Sequence, residues 1–403
     1  MNQYIQLLRK EPIVRRLSTI QLIVYFGAWF SNVAIYTLLL NLGVDAATIA
    51  FVAMLHVVAG VLQAPFSGLL LDRLKPKKLM LVLIAIEFFA TLLMIVVESK
   101  ADLVLLYALI FLKMAAASFY FTAEMSLLPK VIFGKELQRA NELHSMIWSL
   151  SYTLGMALSG FFVYWLGVRT AFVLDAMMFL ISFVMLYTLK LEIGVIKTEE
   201  NLLFMMRDTF SYLKQSSHAK HLMILHAFVG LTAFDALVAL MVDHYYAGII
   251  ATSLALGFMH AARAFGLVIG PMFLSKIVDA PRLRYIFLAQ ALSIWLWAYM
   301  MESFYLSMAA SVVVGLFTTT LWSYTYTLLQ KNIDEKYYGR IIAYNDMLFL
   351  SVAALTSWLI GYLVTNSFSL EEITSLLGSG FIAGALYLAW ILKTQTIKDV
   401  HDI

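Results

Sequence analysis

The chain has 403 residues, of which 62% are hydrophobic and 13% charged, with 28 Lys and Arg against 25 Asp and Glu and no Cys. That balance excludes an ordinary water-soluble globule, whose charged share is about twice as large, and the lack of Cys excludes disulfides, thiolate nucleophiles and Cys-based metal sites. The slight positive excess follows membrane topology and implies no nucleic-acid partner.

A helix needs about 20 apolar residues to cross hydrocarbon. Turn and charge punctuation predicts twelve such runs, near 18–40, 47–70, 79–97, 103–126, 143–166, 171–189, 221–242, 252–274, 285–301, 305–329, 342–365 and 374–392. The first run is too long for a signal-peptide core and lacks a small-x-small cleavage site, so it is read as a retained helix. Of the 28 basic residues, 24 fall in the tails and in the loops on their side of the membrane; Lys100 and Arg169 lie in the opposite loops, and Lys113 and Arg263 are embedded. Basic residues stay on the cytoplasmic side, which places both termini inside, and a prokaryotic inner membrane is the expected location. The loops are too short for an extramembrane catalytic domain.

In chain order, the first span sets Gln21, Tyr25, Trp29, Asn32 and Tyr36 at steps of three or four, one polar and aromatic stripe. His56 on the second span shares a face with Gly60 and Gln63 and is expected to be a packed, hydrogen-bonded histidine. Embedded charge is costly unless paired or hydrated. Glu87 on the third span and Lys113 on the fourth reach similar depth and are the expected pair, with Tyr120 and Glu124 on the Lys113 stripe. Asp175, in the first turn of the sixth span, is accounted for by the helix dipole. The connection 190–220 separates two six-span halves, 1–189 and 221–403. Within it Leu203, Met206, Phe210 and Leu213 recur at helical spacing, away from Arg207, Asp208 and Lys214, which predicts an amphipathic surface helix acting as a tether or, alternatively, as a lipid sensor. Asp235 on the seventh span is grouped with His260 and Arg263, which share one face of the eighth at i, i+3, with a fixed Asp235–Arg263 pair as the plain structural alternative. His226, nine residues before Asp235, is half a turn away unless that helix is broken. The tenth span carries Thr319, Ser323, Tyr326 and Gln330 on one stripe.

The second half repeats the first at an offset of 201 residues: Leu127, Leu128, Lys130, Lys135 and Arg139 match Leu328, Leu329, Lys331, Lys336 and Arg340, and 11 of the 37 positions from 127 to 163 are identical. Same-sense duplication of a bundle with a site between the halves is a transporter architecture.

The loop Gly68-Leu-Leu-Leu-Asp72-Arg73-Leu-Lys-Pro-Lys77-Lys78 resembles the G-x-L-x-D-R-x-G-R-K/R signature of the major facilitator superfamily, at its usual place between the second and third of twelve spans, with Lys75 and Pro76 replacing the usual Gly and Arg. The segments Leu128-Pro129 to Leu143, Ala171-Phe172 to Asp175-Ala176, and Tyr338-Gly339-Arg340 look like its macrolide and enterobactin efflux branch. Gly155 to Gly160 keeps two glycines of the antiporter G-P-x-x-G-G motif without its Pro. The resemblance implies an all-α membrane protein with two pseudo-symmetric six-helix bundles, a cavity lined by the first and fourth span of each half, and an inner gate at Gly68, Asp72 and Arg73 with Arg139 and Arg340. It sets Lys113 where the family's fourth span has an Arg associated with proton coupling. The C-terminal counterpart of the loop, Gly270 to Lys276, has no acid, so the two gates are not equivalent.

The reading is therefore a monomeric secondary transporter, without enzymatic activity or cofactor, embedded in membrane lipid. Its leading function is proton-coupled efflux of an amphipathic small molecule, gripped by Tyr25, Trp29, Asn32, Tyr120, Thr319, Ser323 and Tyr326 and coupled through Lys113, Glu87, Glu124, Asp235, Arg263 and His260. Small-solute uptake, lipid or lysophospholipid flipping and metal-ion export are the transport alternatives; a nontransporting receptor is the alternative from another class. No H-E-x-x-H and no phosphate-cradling Gly-Lys loop argues for an enzyme.

Overall fold

The computed structural model describes residues 2–191, 202–274, 277–334, 337–394 and 397, and the side chains of these except at 2–3, 64–73, 129, 135, 138 and 202–206. With no water in hydrocarbon to satisfy backbone N–H and C=O groups, a spanning chain must bond them within itself, and the regular elements are helices: α1 (Asn2–Lys10), α2 (Pro12–Asn41), α3 (Ala46–Arg73), α4 (Pro76–Leu93), α5 (Leu103–Val131), α6 (Gly134–Thr188), α7 (Leu202–Gln215), α8 (Ser217–Ala227), α9 (Asp235–Tyr245), α10 (Thr252–Leu274), α11 (Leu283–Met300), α12 (Phe304–Lys331), α13 (Tyr338–Thr365) and α14 (Leu370–Thr394), with a 3-10 turn at Phe228–Thr232. Pro12 and Pro76 open α2 and α4, where a missing N–H costs nothing.

Among the described residues, ten segments are long and apolar enough to cross a membrane. One of them holds two spans: α6 is interrupted at Gly167, whose φ of 79° and ψ of 164° only glycine adopts readily, so the chain reverses there without leaving helix on either side. The expected ninth span is the 18-residue α11, which is not among the ten. The seventh span runs through α8, the 3-10 turn and α9, broken in the middle.

Two compact units emerge, 1–44 with 66–198 and 45–65 with 199–403. The sequence division keeps the second span wholly in the first half, whereas packing groups 45–65 with the second unit, where a Cβ on Gly361 would lie 2.4 Å from Ala50 Cβ. Within the first unit α2 packs along α6, and α4 along α5 and α6; within the second, α8 and its 3-10 turn pack on α13, and α11 along α12 and α14. The same span pairings recur six spans later, in step with the sequence repeat. A buried cluster that includes Leu17, Val24, Ile84, Tyr120, Ala123 and Phe179 ties α2, α4, α5 and α6 together.

In the second unit α10 and α12 meet backbone to backbone. A Cβ on Gly315 would stand 2.2 Å from the Arg263 carbonyl oxygen, and one on Gly266 2.0 Å from that of Val312. Without a hydrophobic drive between helices in lipid, this close approach of small residues supplies the packing energy.

Candidate functional site

The first unit buries a charge pair. Lys113 on α5 donates to Asp175 Oδ2 on α6 at 2.6 Å, with side chains 1% and 0% exposed. Lys113 Nζ also donates to Ser31 Oγ of α2 and lies 5.2 Å from the Phe179 ring centroid. Gly27 makes room for the acid, since a Cβ there would stand 2.4 Å from Asp175 Oδ1. The expected Lys113–Glu87 pair is thus replaced. Glu87 is 0% exposed and both of its carboxyl oxygens lack a hydrogen-bond partner. Spacing along α4 and α5 equates the depths of Glu87 and Lys113, but α6 returns past the break at Gly167 to bring Asp175 to Lys113. An acid inside an apolar run is a functional signal in its own right; the assignment of Asp175 to a helix end masked it.

The stripe on α2 meets α5 and α6 of its own unit. Tyr25 donates to Glu124 Oε2 at 3.2 Å, crosses Tyr120 edge to face at 6.4 Å and meets the His144 ring at 5.8 Å. Gln21 donates to the His144 carbonyl at 3.1 Å, and Asn32 Nδ2 lies 3.8 Å from Met156 Sδ. Trp29 stacks edge-on to Tyr152 at 4.7 Å and to Trp148 at 5.9 Å, both on α6. Gln21, Tyr25, Asn32 and Tyr120 are buried, as is His144, which sequence reasoning passed over and whose ring nitrogens find no partner. Gly155 packs within this unit, its missing Cβ 3.0 Å from the Phe26 carbonyl oxygen on α2. His56 bonds to the Val52 carbonyl of its own helix at 2.8 Å, as expected.

In the second unit the seventh span breaks between His226 and Asp235, the condition under which the two need not lie on opposite faces. At the break the Thr232 carbonyl accepts from the Phe234 N–H at 2.8 Å and from Arg263 Nη2 of α10 at 2.7 Å, with the guanidinium 5.2 Å from the Phe234 ring centroid. The plain alternative, a fixed Asp235–Arg263 pair, is not what forms. Asp235 instead lies 3.9 Å from His260 Nδ1, with the acid 27% exposed and the histidine buried. On α12, Thr319 and Ser323 donate to carbonyls of their own helix, at 3.5 and 3.3 Å. Tyr326 stacks on Trp322 at 5.0 Å, a partner the polar pattern of the stripe did not reveal.

Of the gate residues, the side chains of Gly68, Asp72 and Arg73 lie outside the described residues, as do Ser275 and Lys276 of the counterpart loop. Arg139 pairs locally with Glu136 at 3.2 Å. Arg340 meets the predicted linker helix, here α7: its Nη1 lies 3.4 Å from Asp208 Oδ2 and 3.3 Å from Thr209 Oγ1, while Tyr212 stacks on Tyr337 at 4.2 Å. On that helix Leu213 is buried and Phe210 remains exposed against Tyr344. Leu203 and Met206 fall among the side chains not described.

The family model "Major Facilitator Superfamily" matches residues 17–349. No curated protein matches the sequence. Among solved structures, the nucleoside transporter NupG is 12% identical with a TM-score of 0.71, covering 95% of this chain and 100% of its own. The inward-open xylose transporter XylE from E. coli is 11% identical with a TM-score of 0.73, covering 96% and 97%. A proton-dependent oligopeptide transporter is 11% identical with a TM-score of 0.72, covering 94% and 98%. Such likeness establishes the helical membrane fold.

Proposed function

Because the chain belongs to the major facilitator superfamily, we propose that it is a proton-coupled secondary transporter that exports an amphipathic small molecule by alternating access. In this reading it works as a monomer in a bacterial inner membrane with both termini cytoplasmic, and is akin to the macrolide and enterobactin exporters its loops resemble. The observation that carries it is the Lys113–Asp175 pair. A buried ion pair contributes little net stability over apolar residues of similar size, so keeping one inside a lipid-facing bundle points to use. Protonating Asp175 frees the Lys113 ammonium, and Glu87, a second buried acid in the same unit whose oxygens have no hydrogen-bond partner, is the other proton holder. Asp235, His260 and Arg263 form the corresponding group beside the broken seventh span, with Glu124 bonded to Tyr25. Tyr25, Trp29, Asn32, Tyr120, Thr319, Ser323 and Tyr326 are the proposed substrate contacts, and Gly68, Asp72, Arg73, Arg139 and Arg340 the proposed gate.

Uptake of a small solute is the second reading, since the similar solved structures carry nucleoside, xylose and oligopeptide transporters in their titles. Metal export has less support: among the described residues no group of three or more His, Asp or Glu is placed to hold an ion. The test begins with a thermal-stabilisation screen of candidate ligands on purified protein, followed by flux of the stabilising compound into proteoliposomes. An exchanger accumulates substrate when the lumen is acid; a symporter does so when the outside is acid. Accumulation only with external acid refutes export by exchange.

A further inference from the structure

His226 on α8 is fully buried, and its Nδ1 lies 2.8 Å from Thr325 Oγ1 on α12. The Thr325 hydroxyl already donates to the Leu321 carbonyl at 2.7 Å, so only its lone pairs are left for the histidine, and Nδ1 must carry the hydrogen. In the neutral ring this leaves Nε2 as a bare acceptor, and Nε2 has no hydrogen-bond partner. Buried polar atoms are nearly always satisfied, so one that is not calls for an explanation.

The surroundings of the ring are aromatic. The His226 ring meets Trp322 at 5.9 Å, Tyr326 at 5.4 Å and Phe349 of α13 at 5.6 Å. Trp322 and Tyr326 stack nearly parallel, at 18°, yet Trp322 is left 41% exposed. Around α12 the residues Trp322, Tyr326, Thr319 and Ser323 fall within one arc of about 100°, and none of the four is buried. Because Thr319 and Ser323 spend their hydroxyl hydrogens on the Gly315 and Thr320 carbonyls, the arc presents flat rings and acceptor lone pairs.

The geometry points to a ligand subsite in the second unit, formed by Trp322, Tyr326, Phe349 and His226, that takes a planar aromatic ring bearing an N–H or O–H donor. The ring lies against the exposed indole and its donor closes the open valence at Nε2. The subsite rests on the transport reading and deepens it by naming the class of group the substrate presents to α12.

Two isomers of equal size separate donor from bulk: 3-methylindole keeps its ring N–H and 1-methylindole has lost it. Saturation binding to the purified full-length protein by equilibrium dialysis is expected to favour 3-methylindole about tenfold, the effect of one hydrogen bond to a buried acceptor. His226→Phe keeps an aromatic ring there and is expected to bring the two isomers within twofold. Trp322→Ala, at an exposed position, is expected to weaken both together and keep their ratio. Equal affinities for the wild type, no saturable binding of either isomer, or a preference that survives in His226→Phe overturns the subsite. Should His226→Phe fail to fold, Thr325→Val replaces it, since losing the hydroxyl that fixes the tautomer also erodes the preference. A retained preference without pH-driven flux refutes the transport reading and leaves the subsite standing; flux without the preference does the reverse.

Discussion

Splitting the Lys113–Asp175 pair distinguishes the packing observed from the pairing that sequence spacing implies. The perturbations are Asp175→Asn, Lys113→Met, their combination, and Glu87→Gln. The pair is 2.6 Å long with side chains 1% and 0% exposed, so removing one partner strands the other's charge away from water and costs about 3–5 kcal/mol. Removing both strands nothing, and the double variant is expected to recover about 2–3 kcal/mol of that loss as coupling energy. Glu87→Gln gives up no hydrogen bond, because neither carboxyl oxygen has one, and its cost is expected to stay at about 1 kcal/mol or less. Reversible unfolding in mixed micelles of mild detergent and SDS, followed by helical circular dichroism, reads all four. Additive losses from Lys113→Met and Asp175→Asn, or a Glu87→Gln loss as large as that of Asp175→Asn, would refute the reasoning.

Arg263→Met removes the donor to the Thr232 carbonyl in the broken seventh span and is expected to cost about 1–3 kcal/mol, with faster amide exchange around 228–234; an unchanged midpoint and exchange pattern contradicts it. Gly315→Ala drives a methyl against the Arg263 carbonyl oxygen, at 2.2 Å before any shift, and is expected to destabilise by at least ~1–3 kcal/mol; wild-type stability would show that α10 and α12 separate freely. Asp208→Asn breaks a half-exposed pair with Arg340 and is expected to change global stability by less than about 1 kcal/mol while speeding tryptic cleavage at Arg207 and Lys214. Cleavage at the wild-type rate would show that α7 is held without the Asp208 carboxylate, through Thr209, Tyr212 and Leu213.

Element type and approximate extent were legible in the sequence because uninterrupted apolar runs of about 20 residues cross a bilayer as helices. The repeat at 201 residues likewise foretold the recurring packing pairs. Partner choice was not legible, because it depends on contacts between helices that no single-helix period encodes: Lys113 takes Asp175 through the return of α6 and the space at Gly27, and Arg263 takes the Thr232 carbonyl at the break in the seventh span. The polar stripe on α2 shows in the sequence as one face, but its partners Glu124 and His144 do not, since they come from α5 and α6. Trp322 escaped notice because the stripe on α12 was traced through hydroxyl-bearing groups, whereas its exposed face is half aromatic. The amphipathic linker helix was visible in its spacing, but its attachment through Asp208 and Tyr212 to Arg340 and Tyr337 was not.

The central claim is that transport is coupled to protons through the buried Lys113 pair, and flux driven by a pH gradient alone tests it most directly. Proteoliposomes of wild type, Lys113→Ala and Asp235→Asn, matched for inserted protein, are loaded acid inside and diluted into alkaline buffer containing the stabilising compound. The account predicts accumulation by the wild type that collapses when a protonophore dissipates the gradient, and none above empty liposomes for either variant. Accumulation unaffected by the protonophore, or wild-type flux from both variants, would contradict it.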